Sequence, residues 1–161
     1  MTAALRIHHL TLSYDTPRGP QIAVQDFHLE VEAGSIASLL GPSGCGKTSV
    51  LRAIAGFEPV QAGEIALGEV VLSSPQIHLP PEQRRVGMMF QEYGLFPHLT
   101  AAQNVVFGLR RLPRAAQQAR CDELLALVGL KDAGSKYPHE LSGGQQQRVA
   151  IARALMMEPQ V

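Results

Sequence analysis

The sequence predicts an α/β fold: an antiparallel β part, a parallel-sheet core entered through a phosphate-binding loop, and a helical part beyond it. Three observations carry this. Residues 41–48, GPSGCGKT, fit the pattern G-x-x-x-x-G-K-[ST] at every fixed position. Before them, two stretches partly alternate apolar with polar residues. From Thr100 onward the apolar spacing becomes helical.

Taken in order, residues 5–14 (LRIHHLTLSY) and 22–31 (IAVQDFHLEV) read as two strands. DTPRGP between them supplies Pro and Gly for a hairpin-like turn. Glu32, Ala33 and Gly34 turn the chain into residues 35–40 (SIASLL), expected to be a buried strand that is apolar on both faces, as in a covered parallel sheet. After the loop, TSVLRAIAG carries apolar residues at Val50, Leu51, Ile54 and Ala55, a helix with Gly56 as its C′ residue. Short strands follow around residues 63–72. SSPQIHLPPEQR is expected to be a surface connection, and residues 85–90 (RVGMMF) another short buried strand, with Met88 and Met89 as core fillers.

Thr100 and Gln103 form a capping box ahead of AAQNVVFGLRR. Pro113 opens a second helix through Leu127 or Val128, closed by Gly129, and KDAGSKYPHE is a polar loop. Residues 142–157 form the last helix. No internal repeat or low-complexity tract is visible.

Within 161 residues, 14 basic side chains balance 14 acidic ones, and no charge run points to a nucleic-acid partner. Cys45 lies in the Gly-rich loop and Cys121 on a predicted helix, which excludes a disulfide framework and fits a reducing compartment. The N-terminus lacks a signal-peptide pattern, and no apolar run approaches the roughly 20 residues a membrane helix needs.

The loop chemistry is that of phosphate binding. Gly41, Gly44 and Gly46 allow a tight turn whose amides point inward at phosphate oxygens, aided by the positive end of the following helix. Lys47 would reach the β- and γ-phosphates, and the Thr48 hydroxyl would take a Mg²⁺ position. The plain alternative is a Gly-rich turn with an exposed lysine, which the strand and helix in register on either side argue against. The second motif is LSGGQ at residues 141–145, followed by QQR. Ser142 with Gln145 makes a capped helix start, but two glycines in the first turn suggest that a ligand approaches the backbone there.

A phosphate loop followed about a hundred residues later by LSGGQ resembles the nucleotide-binding subunit of ATP-binding cassette (ABC) transporters. The resemblance covers the chain and implies one partial cassette domain, with a β and P-loop core to about residue 91 and a helical subdomain over about 92–158. It implies that Gly41, Pro42, Ser43, Gly44, Cys45, Gly46, Lys47, Thr48 and Ser49 bind ATP. Tyr14 sits where the family places an aromatic that stacks on adenine, and Gln91 where it places the Q-loop glutamine that reaches Mg²⁺ and water. Leu141, Ser142, Gly143, Gly144 and Gln145 would contact the nucleotide held by a second subunit. Gln91 otherwise reads as an ordinary polar residue at a strand end.

The resemblance further implies ATP and Mg²⁺ as cofactors, a homodimer with a second nucleotide-binding subunit, membrane-spanning permease subunits, and a periplasmic solute-binding protein acting indirectly. It places the protein peripherally on the cytoplasmic face of the bacterial inner membrane. The wording of RRVGMMFQEYGLFPHLTAAQNVVFGL and YPHELSGGQQQR is similar to importers of ferric iron, with polyamine, sulfate and other small-anion importers as alternatives. The family's Walker B carboxylates and switch histidine would follow the signature helix, and Glu140 and His139 are not expected to replace them. The 161 residues are therefore expected to be truncated before the Walker B strand, to bind nucleotide without efficient hydrolysis and to aggregate through exposed strand edges. Two other readings are a soluble ABC-type ATPase of DNA repair or translation, and a nucleotide-binding remnant without turnover.

Overall fold

The computed structural model describes residues 3–108 and 113–161 and divides into two compact units, one ending at Val86 and the other starting at Gly87. The last residues of the expected AAQNVVFGLRR helix lie outside the described residues.

In the first unit, strand β1 (Ala3–Thr16) and strand β2 (Gly19–Glu32) form the expected hairpin, longer than the alternation alone marked. Thr16 ties the turn, its hydroxyl donating to the Gly19 carbonyl at 2.7 Å. Strand β3 (Ala62–Leu67) pairs antiparallel with β1, and β4 (Val70–Ser73) with β3, giving a four-stranded sheet in the order β2-β1-β3-β4. Helix α1 (Lys47–Ala55) supplies Val50, Ala53 and Ile54 to a core with Leu5, Ile7, Leu10, Leu12, Ile65 and Leu67. Ile7, Leu10 and Ile65 are fully buried, each contributing about 1.5–3 kcal/mol by leaving water. Gly56 ends α1 at φ 89, as expected of a C-terminal glycine, and its amide donates to the Ala53 carbonyl.

Two expected strands are corrected. Residues 35–40 and 85–90 carry no strand pairing, so no parallel ladder forms among the described residues. A strand exists through its hydrogen-bonded neighbour, and neither apolar run has one. Ile36 and Leu40 are accordingly 97% and 91% exposed instead of buried. Met88 is half-buried and Met89 is 40% exposed, so they do not fill a core.

The expected surface connection also needs correcting at its ends. Ser73 and Arg84 are both buried, and Arg84 Nη2 donates to Ser73 Oγ at 2.6 Å. The same guanidinium donates to the carbonyls of Leu79 at 2.6 Å, Ala53 at 2.6 Å and Ile54 at 3.0 Å. A cation thus closes the negative end of α1. Burial lowers the Arg84 pKa, because the charged form loses water.

The second unit is helical. Helix α2 (Ala101–Val106) starts with both bonds of the expected capping box: Gln103 N–H donates to Thr100 Oγ1 at 3.3 Å, and Thr100 N–H to Gln103 Oε1 at 2.9 Å. Helix α3 (Arg114–Leu127) follows Pro113 and is closed by Gly129 at φ 69. Helix α4 (Gly143–Leu155) packs Val149 and Ala152, with Met156 just past its end, against Val105, Cys121 and Leu124. The Cys121 thiol is pushed up to about 11, chiefly by burial.

Candidate functional site

The Gly-rich loop turns on glycines in left-handed backbone. Gly44 and Gly46 sit at φ 82 and 90, in the left-handed region that favours glycine. At Gly46 a Cβ would lie 2.6 Å from the Ala23 carbonyl oxygen, so the position is closed to other residues by β2 as well as by its backbone. Helix α1 begins there without a side-chain cap and without an acidic residue in its first turn. Its first bonded amide is that of Val50, which donates to Gly46 at 2.9 Å. Among the described residues, the amides of Gly44, Gly46, Lys47, Thr48 and Ser49 meet no acceptor. Five donors at the positive end of a helix, with no carboxylate beside them, form an anion cradle.

Lys47 folds over that cradle. Its ammonium donates to the carbonyls of Gly41 at 2.8 Å and Pro42 at 2.6 Å, with Cys45 Sγ at 3.6 Å. The loop's own carbonyls thus hold the cation where an anion would meet it. Pro42, Ser43 and Thr48 are exposed. Tyr14 of β1 is brought to the same helix end, its hydroxyl donating to Ser49 Oγ at 2.8 Å. Residues implied by resemblance from two distant parts of the chain are therefore neighbours.

The remaining site residues lie in the second unit. Leu141 is buried and anchors the start of α4. Gln145 N–H donates to Ser142 Oγ at 3.3 Å and Ser142 N–H to Gln145 Oε1 at 2.9 Å, a complete capping box. The plain reading of LSGGQ as a capped helix start is geometrically correct, yet it leaves the glycines without a purpose. A Cβ on Gly143 or Gly144 would meet nothing within 4 Å, and neither has a positive φ. Their amides meet no acceptor among the described residues. Nothing among the described residues of this unit demands glycine at either place.

Gln91 is exposed in the turn before α2 and makes no hydrogen bond with a described residue. The segment after it is held from two sides. Asn104, fully buried on α2, accepts from the Phe96 amide at 2.8 Å and donates to the carbonyls of Leu99 and Thr100 at 3.0 Å each. Arg153 on α4 donates to Tyr93 and Gly94. Sequence reading singled out neither; an Asn and an Arg inside helical patterns give no sign of such reach. Glu140 accepts from the Tyr137 amide at 2.7 Å and His139 stacks on the Tyr137 ring, local roles in a loop.

Comparison with known proteins bears on this arrangement. The model of the family described as ABC transporter matches residues 24–161. The putrescine transport ATP-binding protein of Escherichia coli (strain K12) is 47% identical over 163 residues, covering 100% of this chain and 41% of that protein. The Fe(3+) ions import ATP-binding protein of Rhizobium meliloti (strain 1021) is 49% identical over 145 residues, covering 89% of this chain and 40% of that protein. A sulfate/thiosulfate import ATP-binding protein of Gloeobacter violaceus is 50% identical over 141 residues, 86% of this chain and 40% of the relative. The chain thus spans about two fifths of the length of these relatives. Among solved structures, a dimeric ATP-binding cassette in a post-hydrolysis state bound to ADP and Pi superposes with a TM-score of 0.83 at 29% identity, covering 96% of this chain and 70% of that one.

Proposed function

Because the chain belongs to the ABC transporter family, we propose that it binds ATP as part of an ATPase that drives import of a small solute across a membrane. The observation that carries this reading is the uncapped start of α1, where five amides and Lys47 converge without a carboxylate. An ATP triphosphate fits such a cradle: Gly44 to Ser49 would hold its oxygens, with Lys47 exchanging loop carbonyls for the β- and γ-phosphates. The exposed Thr48 hydroxyl is suited to Mg²⁺, an oxygen-seeking ion. When bound, Mg²⁺ neutralises charge on the phosphates. Tyr14 would lay its ring against the base while its hydroxyl stays on Ser49.

The open amides of Gly143 and Gly144 would serve the nucleotide of a second, identical copy, with Ser142 and Gln145 fixing the helix start. Permease subunits would then convert nucleotide-driven association into transport, with a solute-binding protein delivering cargo to them. Attachment to the cytoplasmic face of the inner membrane would run through the permease; among the described residues no helix is long and apolar enough to cross a membrane. Ferric iron is the cargo we favour on the wording around Gln91 and LSGGQ. Polyamine and sulfate relatives stand at comparable identity, so cargo is decided by transport itself.

The test uses the protein purified as its own cells make it. MgATP binding is measured for the parent and for Lys47→Ala, and uptake of labelled Fe³⁺, putrescine and sulfate is compared in cells with and without the gene. Binding weakened tenfold or more in Lys47→Ala supports the reading; equal binding by both proteins sinks it. Uptake of one solute lost with the gene names the cargo.

A further inference from the structure

The hairpin carries a second constellation, away from the phosphate loop and independent of any nucleotide. In β1 the buried residues are Leu5 and Ile7, then Leu10 and Leu12, so the inward phase slips by one between Ile7 and Leu10. The pairing shows why: Ile7 faces Leu29 and Leu10 faces Phe27, so His8 and His9 together oppose His28 in a β-bulge. A second slip lies on the partner strand. Leu10 faces Phe27 and Leu12 faces Val24, which leaves Gln25 and Asp26 opposite Thr11. Two bulges, one on each strand, thus bracket Leu10.

Each bulge holds a non-glycine residue in left-handed backbone, His9 at φ 52 and Asp26 at φ 50. Only four non-glycine residues among those described have positive φ, and two of them meet here. The arrangement is supported from behind: at Gly63 of β3, φ 85, a Cβ would run into the carbonyls of His8 and His9. A strained backbone supported on three strands is an observation from which a site is reasonably inferred.

The bulges aim three side chains at one point. His9 Nδ1 lies 2.7 Å from Asp26 Oδ1, and His28 Nε2 lies 3.2 Å from the same oxygen. One ligand atom from each of the three residues falls within 4.8 Å of the other two. The His9 and His28 rings stand edge to face, 4.3 Å apart, and His8 beside them pairs with Glu30 at 3.6 Å. All three ligand side chains are solvent-exposed, so an ion could enter without the fold opening.

We propose that His9, Asp26 and His28 form a binding site for a divalent transition-metal ion of the Zn²⁺ class on the outer face of the hairpin. Two imidazoles and one carboxylate are the donors that such ions prefer. Donors on one tetrahedral ion with bonds of about 2.1 Å stand about 3.4 Å apart, so each histidine–Asp26 pair needs to spread by less than about 1 Å, and the two imidazole nitrogens, within 4.8 Å of each other, need only settle to the same spacing. Exposed side chains do this by rotation. Each neutral imidazole keeps its proton, moved from the nitrogen that now donates to Asp26 to the other ring nitrogen. Three protein donors leave at least one position for water or for an outside group. The choice of donors also separates this site from the nucleotide's Mg²⁺, which takes oxygen ligands.

The experiment titrates Zn²⁺ against a chromophoric chelator, using the untagged protein as its own cells make it, in excess Mg²⁺. Parent, Asp26→Asn, His9→Asn, His28→Gln and a control, His98→Asn, are compared. Asn tolerates the left-handed backbone at the first two positions, so each variant is expected to keep the parent's MgATP affinity, which reports folding. Expected is one Zn²⁺ per chain in the parent and in His98→Asn, undisturbed by Mg²⁺, with affinity at least tenfold weaker in the other three. A parent that takes no Zn²⁺ from the chelator, or folded variants that bind as tightly as the parent, would overturn the proposal.

Discussion

Arg153, on the helix that follows LSGGQ, donates from Nη1 to the carbonyl of Gly94 at 2.7 Å and from Nη2 to that of Tyr93 at 2.8 Å. Tyr93 and Gly94 are consecutive left-handed residues, at φ 59 and 56, two positions past Gln91. The guanidinium also lies 5.9 Å from the centre of the Phe96 ring. A forked, half-buried cation thus holds a strained turn whose conformation sets where Gln91 stands.

Arg153→Ala should therefore lower stability by about 1.5–3 kcal/mol, the range for hydrogen bonds to a charged group. Arg153→Lys should recover only part, because an ammonium cannot span two carbonyls as a planar fork does. Urea denaturation gives the first quantity. Hydrogen exchange at the Tyr93 amide, which donates to Phe90 at 3.0 Å, reports whether the turn loosens. Unchanged exchange in Arg153→Ala would mean that the turn holds itself.

Arg84 carries a heavier load in the other unit. It is 2% exposed and donates to four oxygens, two of them carbonyls in the last turn of α1, with no carboxylate among the described residues to neutralise it. Arg84→Met should cost about 3 kcal/mol or more, since the Ile54 carbonyl and Ser73 Oγ would be left buried without this donor and the Ala53 and Leu79 carbonyls would each lose one. Gly56→Ala attacks the same contact from the opposite side. Its φ of 89 disfavours a side chain, and the new Cβ would sit 2.7 Å from Arg84 Nε. Thermal denaturation of both single variants and the double should show strong non-additivity, because each disrupts one shared contact. Additive losses would place the damage elsewhere.

Those two arginines mark where sequence reading stopped. The hairpin, the phosphate loop, both capping boxes and the helix ends at Gly56 and Gly129 were legible because each rests on local chemistry: alternation, a turn, a cap, a positive φ. The strands expected at residues 35–40 and 85–90 failed because a strand needs a neighbour, and composition does not report one. Arg84 in PPEQRR looks like any surface arginine, and only the three-dimensional path reveals that Arg84 is buried while Arg85 is exposed. The histidine cluster was legible in principle. The inward phase moves from odd to even positions at His8 and His9, and from even to odd at Gln25 and Asp26, which is how bulges appear in a sequence.

The last prediction concerns glycines that the fold does not need. At Gly144 a Cβ would meet nothing within 4 Å, the backbone is helical, and the residue lies in the first turn of α4. Alanine there restricts the unfolded chain and favours the helix, so Gly144→Ala should leave stability unchanged or raise it by up to about 1 kcal/mol. The proposed role predicts the opposite for activity. A methyl group on that surface would stand between the open amides and the nucleotide of a second copy, so nucleotide-dependent association and ATP turnover should fall at least tenfold. Nucleotide binding to the single copy should stay as it was. Urea denaturation, sedimentation with and without MgATP, and turnover together decide the matter. Intact association and turnover in a fully folded Gly144→Ala protein would show that nothing approaches this helix end.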